Sequence, residues 1–466
     1  MLAFDDPNDQ LAAAIASPTV LAVLATLGGV LLVVVFRELR QVQANLLVLM
    51  AAAFLDMVGL FMVVPILPFY VKQFGHGASL FGHPLGEGAL TGLVVSSFTI
   101  AQLVSAPWWG RCSDRWGRRP VLLIALFASA IAFLLFGFAE SLLLLVLSRI
   151  VQGAGGGTTG VIQAYVADAV EPAQRTRALG WLSAATNLGV ALGPVLGSVA
   201  IWIGEHDLLP GEASLRLGRA TPGVAAALLC LLNVVFAWRY LREPVATAKK
   251  EKPQVRAAAA IGRVLAHPRA PASRLLLIYA IAIGAAQGVN PTMILYLGER
   301  FGATESSIGY LFMYIGALSV FARILVLGRA VDRFGEPALA LLGITILGVG
   351  LRLLSAVDSV PFLAVAVGLL PIGMAMTFPC LTSMLSRVVP AGDRGLYMGM
   401  QQTFGGVARL LAPLAYGLAY DGIGHGAPFE LAAVLVGSAA FLGLGLATVV
   451  PPKNAVVPLA AVGPKA

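Results

Sequence analysis

Gly110-Arg111-Cys112-Ser113-Asp114-Arg115-Trp116-Gly117-Arg118-Arg119-Pro120 sets four arginines and one aspartate between two apolar runs, Ala89 to Trp109 and Val121 to Phe138. Each run is long enough to cross a bilayer as a helix. A charge in hydrocarbon costs roughly 2.5–3.5 kcal/mol on insertion scales, so the stretch between the runs must lie at a water interface. Its arginine excess places it on the cytoplasmic side. The glycines at 110 and 117 are expected to allow a tight turn and a close approach of the two helices.

Composition points the same way. The chain has 466 residues, of which 58% are hydrophobic and 12% charged, and its mean hydropathy is +0.87. A soluble core needs far less apolar surface, so the expected class is an all-α polytopic membrane protein. The net charge of +8 sits in short loops, where it sets topology and meets anionic lipid, and no nucleic-acid partner is expected. Cys112, Cys230 and Cys380 are isolated, without metal or disulfide spacing. The five histidines (76, 83, 206, 267, 425) read as loop residues, which leaves no histidine proton relay in the membrane. No phosphate-binding glycine loop and no nucleophile–base pair appears, so neither a nucleotide-driven pump nor an enzyme is expected.

Leu11 to Phe36 carries no charge and is followed by Arg37 and Arg40. It reads as an uncleaved extra transmembrane helix with its N-terminus outside, or else as an interfacial segment. Residues 1–44 therefore form this helix and its link, 45–240 a six-helix half, 241–273 a basic cytoplasmic linker, 274–451 a second six-helix half, and 452–466 a tail. The halves are copies. Gly328-x3-Asp332-Arg333-x-Gly335 repeats Gly110-x3-Asp114-Arg115-x-Gly117 at an offset of 218. Arg175, Gly180 and Pro194 match Arg394, Gly399 and Pro413 at 219. Such duplication is found in transporters that rock one half against the other. The second loop reads as degraded, with Glu336-Pro337 where the first has Arg118-Arg119, so the first is expected to carry more of the gating energy.

Gly110-x3-Asp114-Arg115-x-Gly117-Arg118-Arg119 between two spans resembles the signature loop of the major facilitator superfamily of secondary transporters. Leu55-Asp56-Met57-Val58-Gly59-Leu60 with Pro65 and Pro68, Ala164 to Asp168 with Arg175, Glu299 to Gly302, and Ser386-Arg387 are similar to the tetracycline-resistance branch of its drug/proton antiporters. The likeness spans about residues 45–450 and implies two six-helix bundles around a central cavity. The extra N-terminal helix departs from that branch.

Several polar residues stand inside predicted spans. Asp56 sits about 16 Å into the first, near the middle of the hydrocarbon. It is the candidate to bind the coupling proton or a cationic substrate group; the alternative is a structural ion pair with Arg149 or Arg409. Arg149, with Gln152, lies about 13 Å below the outer turn of the fourth span, so it should face the bundle interior and a polar partner. A similar arginine motif in the superfamily's antiporters is given a part in proton transfer. Gly189-x3-Gly193-Pro194-x2-Gly197 has the spacing of close helix packing and resembles the antiporter signature of drug exporters, with Ser198 where a further glycine is usual. Arg409, and the neutral Gln287, Asn290, Gln401 and Gln402, are candidates to bind substrate.

The resemblance implies proton-coupled efflux of a small amphipathic compound, with Gly110, Arg111, Asp114, Arg115, Gly117, Arg118 and Arg119 as a gate. The alternative is transport of an organic anion or lipid-like metabolite through the embedded arginines. The expected coupling ion is the proton, without cofactor or metal. The expected partners are a small-molecule substrate and membrane lipids, the expected place a bacterial inner membrane, and the expected working unit a monomer.

Overall fold

The computed structural model describes residues 44–80, 82–156, 159–170, 175–205, 212–243, 257–305, 307–390 and 393–446. The extra helix expected over Leu11 to Phe36, residues 244–256 of the basic linker and the tail lie outside them.

Helix α1 (Ala44–Val63) stops where Pro65 removes a backbone donor, passes through the 3₁₀ turn Val64–Ile66, and resumes as α2 (Leu67–Phe74). A two-stranded hairpin, β1 (Ser79–Leu80) against β2 (His83–Pro84), follows at the outer end. Then come α3 (Glu87–Trp116), α4 (Arg118–Gly137), α5 (Leu142–Gly156), α6 (Thr159–Ala169), α7 (Arg175–Glu205) and α8 (Glu212–Tyr240). After the linker helix α9 (Ala257–Ala266), the second half runs α10 (Pro271–Phe301), α11 (Ile308–Phe321), a π-helical segment Ala322–Leu327, α12 (Gly328–Phe334), α13 (Glu336–Leu354), α14 (Val360–Val388), α15 (Arg394–Gly422) and α16 (Ala427–Gly443). Among the described residues eight helices are long and apolar enough to cross a membrane, and three shorter apolar helices accompany them.

The arginine-rich loop is shorter than its sequence suggests. α3 continues through Gly110 to Trp116, and the chain turns at Gly117 alone, whose φ of +99° suits only glycine. Gly110 is therefore not a turn residue; a Cβ there would meet open space. The second copy turns the same way at Gly335, φ +78°.

The halves meet at the ends of α3 and α15 that the charge distribution assigns to the outside. A Cβ on Gly92 would collide with the Pro413 carbonyl, and one on Gly417 with the Gly88 carbonyl, so glycine lets these backbones touch. The Asp421 carboxylate accepts the Gly88 and Ala89 N–H groups at 2.9 and 2.7 Å, capping α3 from the other half. Ser96 donates to the Leu410 carbonyl at 2.7 Å further in. Gly309 of α11 similarly meets Pro194 and Ser198 of α7. On the cytoplasmic side Arg111, Asp114 and Arg115 are exposed. The molecule is thus closed on its outer side.

Candidate functional site

The gating loop is tied into its own half. Arg118, 6% exposed, pairs with Asp114 at 2.8 Å and with Asp168 of α6 at 3.1 Å, and reaches the Ser113 hydroxyl. An arginine at a helix N-terminus opposes the helix dipole. Glu243 offsets this: its carboxylate accepts the backbone N–H groups of Arg118 and Arg119, capping α4. Sequence reasoning missed Glu243, because a lone acid after a predicted span carries no periodic signal.

The second loop corrects the reading of a degraded copy. Glu336 occupies the position that corresponds to Arg118 and pairs with Arg387 at the end of α14, with Ser383 donating to it at 3.0 Å. Arg118 and Asp168 join the corresponding helices in the first half. The ion pair is kept and its charges are exchanged. Glu336 also supplies the negative charge that α13 needs at its own N-terminus, the service for which α4 needs Glu243.

Gly189, Gly193 and Gly197 pack α7 on α1, against Phe54 and Met57, Phe61, and Met62 respectively. Pro194 and Ser198, in contrast, face α11 across the halves.

Asp56 is half-buried and lines a cavity of about 30 Å³, enough for a water, with Leu49, Ala53, Leu122, Ser129 and Gly155 among the lining residues. Every lining residue lies between Leu49 and Leu241, in the N-terminal half and the first residue after it. Among the described residues Asp56 makes no ion pair, so it is bonded neither to Arg149 nor to Arg409. Arg149 is 1% exposed and does face the interior, but what it finds there is chiefly the Phe136 ring, 5.1 Å from its guanidinium carbon. Its polar contact is a long one, 3.4 Å to Ser148, and one of its terminal nitrogens has no hydrogen-bond partner. Gln152 is buried beside it on α5, with its carbonyl oxygen unpartnered.

In the second half the polar candidates separate. Gln401 is buried and bonds Thr382 of α14 at 3.2 Å, a tie between helices. Gln287 is exposed and Asn290 half-buried, and neither side chain makes a hydrogen bond among the described residues. Gln402 and Arg409 of α15 both lie beside Tyr279 of α10, near enough to act on its hydroxyl. The Tyr279 ring lies on Gly405, where a Cβ would stand 2.9 Å from Cε1. Phe378 packs edge-on against that ring at 5.4 Å. Tyr279 was missed because an aromatic residue in a membrane helix ordinarily packs or faces lipid. Arg323, in the π-helical segment, was missed as well; its Nε is buried without a partner.

The Major Facilitator Superfamily profile matches residues 49–325 and 275–463. Tetracycline resistance protein, class B, from Escherichia coli is 26% identical over 367 residues, covering 79% of this chain and 86% of that one. The crystal structure of the human organic anion transporter MFSD10 (TETRAN) superposes with a TM-score of 0.64 at 24% identity, over 86% of this chain and 99% of that one. That of a bacterial homolog of the human lysosomal transporter Spinster, inward-facing and occupied, gives 0.69 at 14%, over 87% and 96%. These relatives are transporters rather than enzymes. With the profile spanning both halves, the chain belongs to the Major Facilitator Superfamily: it is a multi-pass membrane transporter.

Proposed function

We propose that this transporter exports a small amphipathic compound in exchange for protons, by alternating access and as a monomer. The observation that carries the reading is Asp56, a membrane-embedded carboxyl free of ion pairs among the described residues and opening on a water-sized cavity inside one half. An acid so placed can take up and release a proton without first breaking a salt bridge. Arg149 and Gln152, buried in the same half with unpartnered polar atoms, tune it. Efflux is supported by similarity to a protein named for tetracycline resistance and by the resemblance of Gly189, Gly193, Pro194 and Gly197 to the antiporter signature, whose three glycines pack on α1.

Gly110, Arg111, Asp114, Arg115, Gly117, Arg118 and Arg119 form the cytoplasmic gate in this reading. With the outer side closed, Arg118 is buried in its own half while Arg111, Asp114 and Arg115 are exposed, ready to meet the other half when the outer side opens.

The test is fluorescence of a pH probe in proteoliposomes under an imposed pH gradient, with tetracycline and a panel of cationic, neutral and anionic compounds. Wild type should show compound-triggered proton movement, and Asp56→Asn should lower it at least tenfold. Full proton movement in Asp56→Asn would remove Asp56 from the coupling. Compound flux in wild type with no proton movement would remove proton exchange itself.

A further inference from the structure

The face of α15 that carries Gln402 and Arg409 can be read from its neighbours. Gly406, Pro413 and Gly417 touch α3, and Gly405, Ala408 and Ala412 touch α10. Thr403, Val407, Leu411 and Leu418 are exposed. At about 100° per residue, Gln402 and Arg409 fall between the two packed faces and opposite the exposed one. They therefore point toward the axis between the halves. Gln402 is exposed, consistent with an axis open to the cytoplasm.

The chemistry of the cluster is one-sided. Tyr279 brings a hydroxyl and Gln402 an amide to the side of the Arg409 guanidinium. Arg409 has five N–H donors and, among the described residues, no carboxylate partner. No aspartate or glutamate stands between Pro271 and Gly298 in α10, or between Arg394 and Tyr420 in α15. Three donor groups converge with no acceptor charge to meet them, and a guanidinium in that position calls for a planar, acceptor-rich anion. Phe378 beside Tyr279 adds an apolar wall.

We propose that Tyr279, Gln402 and Arg409 hold the anionic head group of the transported compound, an amphipathic organic anion. This rests on the transport reading but not on its coupling ion. The anion is held by the C-terminal half and the proton by the N-terminal half. Exchange of an anion going out for a proton coming in moves positive charge inward on both legs, so transport runs faster with a negative-inside potential. Exchange of a monovalent cation for one proton would be electroneutral.

The experiment uses three naphthalene compounds that differ only in head group: naphthalene-2-sulfonate, naphthalene-2-sulfonamide, and trimethyl(naphthalen-2-yl)ammonium. Each is tested by thermal shift of the purified full chain and by tracer flux in proteoliposomes, with a pH probe in the same vesicles. The sulfonate should stabilise wild type and be transported, and the other two should not. Arg409→Gln should lower sulfonate flux at least tenfold, and Arg409→Lys should recover part of it. Tyr279→Phe, which removes only the hydroxyl, should raise the sulfonate KM about fivefold with little change in kcat. A purely structural role for Arg409 would lower flux without altering preference among heads. Preference for the ammonium, equal response to all three, response to none, or sulfonate flux that survives Arg409→Gln overturns the site. Sulfonate flux that depends on Arg409 but moves no protons keeps the site and removes proton exchange. Proton movement triggered by the ammonium alone does the reverse.

Discussion

Glu336 binds Arg387 where, in the first half, Arg118 binds Asp168: two equivalent helix junctions are clamped by ion pairs of opposite polarity. The pair is mostly buried, with side-chain exposures of 10% and 22%. Glu336→Gln should lower stability by about 2 kcal/mol, the usual loss for a hydrogen bond to a charged group. Combining Glu336→Arg with Arg387→Glu should restore most of it, short of about 0.5 kcal/mol for placing a cation at the start of α13. Thermal unfolding in detergent reads both, and a double variant no better than its singles would show that the pair is not the clamp.

Glu243 should matter to the first junction and have no counterpart in the second. Removing its charge with Glu243→Gln weakens the cap on Arg118 and Arg119 and should cost about 1 kcal/mol. Faster exchange at the start of α4, with the start of α13 unchanged, is the expected pattern in hydrogen–deuterium exchange.

Asp421 holds the outer side shut through two backbone hydrogen bonds. Asp421→Ala should weaken the closed form by about 1 kcal/mol, a shift of roughly fivefold toward outer opening. Distances between spin labels on the outer ends of α3 and α15 would report it. An unchanged distance distribution would mean that glycine packing alone closes this side.

Gly417→Val places atoms into the Gly88 carbonyl. The helices must then part, so flux should fall at least tenfold while membrane insertion is kept. Retained flux would show that α3 and α15 need not touch during transport.

Asp114 is 56% exposed, so its pair with Arg118 contributes less than about 1 kcal/mol here. Asp114→Asn should therefore leave the unfolding temperature nearly unchanged yet slow transport, if the loop gates the opposite conformation. A variant with wild-type flux would leave the loop with topology as its only task.

The spans, the loop and the duplication were legible because hydrophobic length, charge placement and repeat spacing are properties of the chain itself. The helical state of Gly110 to Trp116 was not: charge density marks an interface but does not distinguish a protruding helix from a turn. Glu336 looked like decay because aligning copies rewards identical residues, whereas an ion pair survives exchange of its ends. Asp56 and Arg149 could each be placed at depth by counting residues. Whether they touch depends on the faces of two helices, and those faces are set by glycine contacts such as Gly189 on Phe54 and Gly153 on Phe98. Tyr279 gains its meaning only from Gly405, which leaves room for its ring.

The cavity beside Asp56 is walled by one half alone. Whatever occupies it cannot be pushed out by a molecule lying against Arg409 in the other half. Two cargoes that compete for one seat are kept in strict alternation by exclusion; cargoes seated apart are not. Here only the relative cost of moving with one, both or neither seat filled can enforce the exchange ratio. A transporter built this way slips by degrees, and its leak is adjustable by mutations at the seams between the halves as much as at either seat.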